Sequence, residues 1–494
     1  MDLAYLIKES ELLQHSASFK FPLRAGVKEW ERQLHGPWIS SKEILTERVQ
    51  EILRLREHPE ICEETLEILE SLEESEKTVV EYVSSDTSNT AEEQIFFKGE
   101  HTKVLNHIPF LIFIFVFLKV WVAPCLALLT PLLLCVMPYI IMTTVMNMNL
   151  PWEIYVKMMK HMFFGFQNGE SWGAKHYAQT LWTGLSIGQG MITPFMTAYH
   201  TSKLDATIMK RGKALLNLRE KGQYLLERLR SIGVLKQIRY DFPEISNEPH
   251  EAVAWMEEEP IGMLLLWRIL GRISVITKIA SDSSWNPVSW SGPLSLTNMS
   301  DLAISRRKAK KSDLVLKGHS LLTGPNRGGK SSCLRAVLQQ VLLGQTFGFT
   351  YGAKGSWKPF ALIFTRLKSH DSAGKESLFE MEVRMASKIL HTTRSQGRNT
   401  LIMIDELFHS TNPPDAETSA RLFLKQLWKL DSCKSIISTH IFSLCEAVPN
   451  TIRTLCCPAT VLPTGILQYS YELQSGICKI SSVHEVLKEH GMRA

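Results

Sequence analysis

None of the nine cysteines sits in a C-x-x-C pair or at a Cys/His metal spacing, and only Cys456 and Cys457 are neighbours. That excludes a zinc-ribbon or disulfide-stapled scaffold and points to reduced core thiols in a cytosolic-facing protein. The N-terminus, MDLAYLIKESELLQ, has no basic stretch leading into an apolar run, so it does not read as a secretory signal. Strong net charge is also missing: 55 Lys and Arg against 50 Asp and Glu leave +5, with an isoelectric point near 8.6. Such a balance permits anionic partners without demanding them. At 494 residues the chain is long enough for about two to four domains with cores of their own.

Charge disappears entirely from Val120 to Met146, a run longer than the ~20 residues needed to cross a bilayer. A second apolar stretch, 104–118, precedes it, broken by Asn106 and His107. Lys119 separates the two, near enough to an end to snorkel. Pro124, Pro131 and Pro138 recur every seven residues, on nearly one helix face, and membrane helices tolerate proline better than soluble ones. We read 104–148 as a transmembrane helical hairpin that turns near Lys119 to Pro124, with both flanks on one side. Lys98, Lys103, Lys157 and Lys160 favour the cytosolic side. The alternative is a buried helix pair inside a soluble domain, cytosolic or nuclear.

Around this segment the chain reads as mostly helical. Residues 44–72 carry apolar positions at helical spacing opposite an acidic, solvated face that includes Glu57, Glu60 and Glu67. The polar stretch 84–93 reads as a loop. Residues 165–190 are rich in Gly, Gln and Trp and carry no evident chemistry. Residues 204–229 form a helical pattern with interleaved Lys and Arg, read as a solvated face in preference to a nucleic-acid or lipid-headgroup surface. A Pro, Gly, Ser and Asn-rich stretch, 285–300, marks a boundary. The cluster Arg306, Arg307, Lys308, Lys310 and Lys311 lies between strand-like pieces at 302–304 and 314–316 and reads as a solvated hairpin tip in preference to a localisation signal or an anion patch. The expected domains are therefore 1–103, 104–148, 149–285 and 286–494.

The last of these carries the chemistry. Residues 321–333 read LLTGPNRGGKSSC and fit the phosphate-loop pattern G-x-x-x-x-G-K-[ST] between a strand-like and a helix-like run. Gly324, Pro325, Asn326, Arg327, Gly328, Gly329, Lys330, Ser331 and Ser332 would wrap the phosphates of ATP. Glycines let backbone N–H groups turn inward, and the helix N-terminus favours negative charge. Lys330 would reach the β/γ-phosphates and Ser331 would hold Mg²⁺. A chance Gly-rich turn is the bland alternative. Downstream, residues 400–407 read TLIMIDEL, an apolar strand ending in two carboxylates. Neighbouring strand residues face opposite ways, so two roles are natural. Asp405 would support Mg²⁺, and Glu406 would polarise the attacking water. Residues 435–440, SIISTH, form another strand-like run that ends in His440, placed to sense the γ-phosphate. Surface acids and a plain strand-end histidine are the alternatives.

GPNRGGKSS, MIDELFHSTNPPD and STHIFSL resemble motifs of the MutS family of DNA-mismatch-recognition ATPases. TRLKSHDSAGKESLFEMEV, residues 365–383, resembles that family's signature loop, with Ser377, Phe379 and Glu382 on its S-x-F-x-x-E positions. The resemblance covers about 290–490. It implies an α/β P-loop domain of ABC type at the C-terminus, preceded by a mostly α-helical lever or core region. It further implies ATP hydrolysis with Mg²⁺, an ATP-dependent homodimer, and DNA as partner, mismatched or branched. By resemblance, Ser377 would reach the partner's γ-phosphate, Asn326 would touch the γ-phosphate, Asp405 and Glu406 would be the acidic pair, and His440 the switch histidine. Leu34, Gly36, Pro37, Ile44 and Arg48 resemble the start of the family's lever, which would make 10–100 and 149–285 its two halves. The residue that stacks on adenine is expected near 294–304.

The chain also departs from the family. Arg327 stands where an apolar residue is usual. Phe408, His409, Asn412, Pro413 and Pro414 occupy a run that is Gly-rich elsewhere. The family's N-terminal mismatch-reading domain and terminal helix-turn-helix find no counterpart. Besides a DNA-directed ATPase, the sequence therefore fits a membrane-anchored mechanochemical ATPase, or a scaffold gated by ATP.

Overall fold

The computed structural model describes residues 2–14, 19–84, 95–97, 101–164, 174–238, 240–305, 307–367, 377–446, 448–463 and 466–491. The expected loop at 84–93 lies almost wholly outside them, as do Arg306, 165–173 and 368–376. The described residues fall into two compact units, one of Met1–Ser71, Tyr224–Tyr240 and Trp267–Ala494, the other of Leu72–Gln223 and Asp241–Leu266.

The first unit is built on a six-stranded sheet ordered Gln474–Ser475, Arg453–Cys456, His319–Thr323, Cys433–Ser438, Thr400–Ile404 and Leu362–Arg366. Every pairing is parallel except the first. Strands His319–Thr323 and Thr400–Ile404 are buried along their whole length, as a sheet covered on both faces requires. Parallel neighbours need long crossovers, and the helices Leu378–Gln396 and Pro413–Leu427 supply two of them. This is an α/β arrangement of P-loop type with a helical N-terminal part, the coarse architecture expected from the sequence. A separate antiparallel sheet, Ser312–Leu316, Leu294–Met299 and Lys354–Ser356, flanks it. The basic cluster does connect two of its strands. Residues 302–304, however, form a turn and no strand, because the Asp301 carboxylate accepts the Ala303 N–H and ends the extended run.

The N-terminal helices belong to this unit because they fill its aromatic core. Trp30 is fully buried and stacks on Phe347, centroids 6.0 Å apart. Phe19 meets Trp285 and Tyr351 at 5.4 and 4.9 Å. Arg56, on the helix Lys42–Glu57, donates to the carbonyls of Ile279, Ala280 and Trp285 and sits over the Phe349 ring. It thereby satisfies carbonyls at the end of helix Pro260–Ser281 that would otherwise lack partners. All nine cysteines are unpaired and six are buried. Burial pushes the Cys457 thiol up to about 12, which keeps it a protonated core side chain.

The second unit is helical. Its longest element, Ala174–Ser231, runs 58 residues and continues into the first unit. Gly212 lets it approach the start of helix Pro249–Glu258; a Cβ there would lie 2.0 Å from the Pro249 carbonyl oxygen. The expected turn near Lys119 to Pro124 is absent. Instead the backbone stays helical from 109 to 145, passing through wide turns at Leu118–Val122 and Ile141–Val145. The cause is local. Pro124 has no N–H, and in the wide turn before it the Ala123 N–H reaches back to the Leu118 carbonyl, which accommodates the ring without ending the helix. No Gly, Asn or Asp occurs between Lys119 and Pro124 to make a turn preferable. The hairpin over 104–148 is therefore corrected to one helix. Only 17% of the apolar stretch Pro109–Thr130 is buried, against 56% of Pro260–Ser281, so the latter reads as a core helix.

Arg56→Ala removes one cation from several carbonyls at once. Denaturant unfolding should show a loss of about 1.5–3 kcal/mol, the range for hydrogen bonds to a charged group. Arg56→Lys, lacking the planar fork, should recover only part of it.

Candidate nucleotide site

Strand His319–Thr323 ends at Gly324, whose φ of +148° and close approach to the Cys457 carbonyl (2.7 Å from a would-be Cβ) admit only glycine. The loop then turns through Pro325 to Gly328, and Gly329, at φ +96°, caps helix Lys330–Phe347. Residues 325–332 line one cavity of about 650 Å³. Within it the Lys330 ammonium donates to the carbonyls of Gly324 and Pro325 at 3.0 and 3.2 Å. Burial pushes Lys330 below its ordinary range, while Glu406 and Asp405 oppose the shift.

The acidic pair stands at the end of the neighbouring buried strand Thr400–Ile404. Ser331 donates to one oxygen of Asp405 and Ser438 to the other. The Asp405 N–H continues the sheet by bonding the Arg366 carbonyl at 2.8 Å. Glu406 takes a positive φ of 57°, turns away from the strand and lines the cavity; its N–H donates to Ser438 Oγ at 2.8 Å. His440 Nε2 bonds Glu406 Oε1 at 2.7 Å. That bond is the main reason the Glu406 carboxyl is held below its usual range; burial works against it, and Lys330 adds to it. The geometry thus brings together Gly324 to Ser332, Asp405, Glu406 and His440. Ser377 does not line the cavity. It caps helix Leu378–Gln396, in a reciprocal box with Glu380.

Three groups of lining residues were not assigned from the sequence. Met299, Ser300, Asp301 and Ile304 form one wall, in the stretch expected for the adenine end. Buried Asp301 accepts both Arg335 Nε and Nη2, at 2.9 and 2.7 Å, and fixes that wall to the helix of the phosphate loop. Lys308 and Lys310 line the cavity as well, which favours the anion-patch alternative over the preferred solvated tip. Tyr471 closes the far side, against Gly329. Nothing local in the sequence signals Tyr471, since its position depends on the last strands returning to the sheet.

The unusual run after Glu406 has a packing role. Phe408 is 3% exposed and sits edge-on between Phe379 and Phe423, with centroid distances of 6.2 and 6.4 Å. Asn412 stands just before helix Pro413–Leu427, whose prolines occupy the first turn where no N–H is missed. Ser410 and His409 both reach the buried Glu382 carboxylate, at 2.7 and 3.0 Å, beside Arg366 at 2.7 Å. Arg366→Met removes the only always-charged partner of that carboxylate among the described residues. It should destabilise the chain by about 3–5 kcal/mol in thermal or denaturant unfolding.

Residues 320–492 match the family model of MutS domain V. Mitochondrial DNA mismatch repair protein MSH1 of Arabidopsis thaliana is 28% identical over 218 residues, 43% of this chain and 19% of that protein. DNA mismatch repair protein Msh3 of Dictyostelium discoideum is 35% identical over 121 residues, 24% of this chain and 8% of that protein. The chain therefore spans less than a fifth of the length of these curated relatives. Residues 320–492 thus match a MutS domain V, and through that domain the chain is similar to these MutS-type proteins.

Proposed function

We propose that the chain is a MutS-type ATPase that binds ATP with Mg²⁺ and hydrolyses it. The observation that carries this is that Lys330, Ser331 and Glu406 line one cavity, with Asp405 hydrogen-bonded to Ser331 and His440 to Glu406. Ser331 Oγ and the Asp405 carboxylate are hard oxygen donors, already in contact, and suit Mg²⁺. When bound, the metal would offset charge on the phosphates. Lys330 would exchange its two loop carbonyls for phosphate oxygens. Glu406 would accept a hydrogen bond from the attacking water, and His440 would hold that carboxylate ionised and oriented. Ser377, away from its own loop on a capped helix end, fits a role toward the loop of a second copy in an ATP-dependent homodimer. DNA, mismatched or branched, is the partner implied by the family, and the helical region would act as the lever. A membrane-anchored mechanochemical ATPase is the second reading, favoured by the bare apolar helix at 109–145.

Glu406→Gln should lower phosphate release by about 10²–10⁴-fold while leaving ATP binding intact; unchanged hydrolysis would overturn the assignment. Homoduplex, mismatched and branched DNA should each be tested for a change in that rate. No effect, together with no DNA binding at low salt, would reject the DNA reading. His440 sets the pH response. The native Glu406 carboxyl is depressed, so it stays ionised, and active, down to a pH below its ordinary range. His440→Ala removes the chief cause, raises that carboxyl toward its ordinary value, and should move the acid limb of the rate profile to higher pH.

A further inference from the structure

The membrane reading needs a second crossing, since 109–145 is one helix. We infer that the first half of helix Ala174–Ser231, residues 176–202, is that crossing, and that helix Trp152–Phe164 lies on the far side of a lipid bilayer.

Topology requires it. Met1–Ser71 and Tyr224–Tyr240 with Trp267–Ala494 form one compact unit, so both ends of the intervening chain emerge on one side of any membrane. The number of crossings between them is therefore even. Helix 109–145 supplies one, through the stretch between Lys119 and Glu153 that contains no charged residue. Helix Trp152–Phe164 is too short for another and carries Glu153, Lys157 and Lys160. Residues 204–223 are studded with charge, including Lys210, Arg211, Lys213 and Arg219. Only 176–202 remains: it contains no Asp, Glu, Lys or Arg and offers roughly 40 Å of helix for ~30 Å of hydrocarbon.

The side chains agree. On the first helix Leu126, Leu128 and Leu129 are all about half exposed although they point in different directions around the axis, so apolar surface surrounds the helix and forms no single docking stripe. On the second, Leu181, Trp182, Leu185, Ile192 and Tyr199 are 60–74% exposed. A protein partner would cover one face; a bilayer covers all of them. Three hydroxyls are satisfied within their own helix, as hydrocarbon favours: Thr130 donates to the Leu126 carbonyl, Thr143 to that of Tyr139, and Thr193 to that of Gln189. Lys98 and Lys103 before the first crossing, with Lys203, Lys210, Arg211 and Lys213 after the second, outnumber Lys157, Lys160 and Lys175 between them, which favours the cytosolic side for the nucleotide unit.

The inference rests on the membrane reading, and one experiment separates the two. The full chain is expressed in cells, and sealed vesicles are prepared with the cytosolic face outward. Membranes are extracted with alkaline carbonate. Met158→Cys and Lys210→Cys variants, both at exposed positions, are treated with a membrane-impermeant maleimide before and after permeabilisation, against the parent chain. We expect the protein to resist extraction, Lys210→Cys to label at once, and Met158→Cys to label only after permeabilisation. If the protein resists extraction but both label at once, the second crossing is overturned while the membrane reading stands. If carbonate releases the protein, the membrane reading itself fails and a protein partner covers these helices.

Discussion

The Asp405 carboxylate is held from both sides, by Ser331 of the phosphate loop and by Ser438 of the adjacent strand. Much of the nucleotide site depends on that clamp. Ser438 also accepts the Glu406 N–H, so the same hydroxyl that fixes one acid sets the turn that swings the next acid into the cavity. Glu406 in turn meets His440, two residues beyond Ser438. The polar contacts thus form one connected path from loop to acid to histidine. Each group is positioned by a strand end, where a buried parallel sheet opens toward solvent. A charge placed there can be both partly desolvated and reachable: burial lowers Lys330, and the bond from His440 lowers Glu406 against its own burial.

A second network holds the wall opposite. Asp301 binds Arg335, which also pairs with Glu11 at 3.0 Å, and Gln339 joins Asp301 to the Ser10 carbonyl. Glu9 accepts the Leu367 N–H. The first helix of the chain, Leu3–Ser10, is therefore stitched to the helix that follows the phosphate loop. A movement of that helix on binding nucleotide would be felt directly at the N-terminus, through charged contacts that are largely buried and hence little screened.

The side chains that meet at the phosphate loop were legible in the sequence because their spacing is local. A glycine loop after a strand, two acids at a strand end and a histidine at another each carry their own signature. Of the cavity walls only the neighbourhood 294–304 was legible, through the family resemblance, and without individual residues. Asp301, Lys308, Lys310 and Tyr471 reach the site only through sheet order and long-range return of the chain. The helix at 109–145 was misread for a different reason. Recurring prolines near a lysine suggested a turn, but a wide helical turn absorbs the missing N–H of Pro124. The proposed second crossing has no sequence signal of its own, because 176–202 mixes Gly, Gln and Thr with its apolar residues; it follows only from the membrane reading and the continuity of the earlier helix. Phe408 was seen as a departure; its function as a packed ring between two helices needed coordinates.

The central claim is a single Mg²⁺–ATP site organised around Lys330 and the Asp405 clamp. Calorimetric titration of ATP into the full chain and into Lys330→Met, each with and without Mg²⁺, tests it most directly. The account predicts Mg²⁺-dependent binding by the native chain and at least about tenfold weaker affinity in the variant, the loss expected for a charge-assisted hydrogen bond. Equal affinity in the two proteins, or binding indifferent to Mg²⁺, would contradict it.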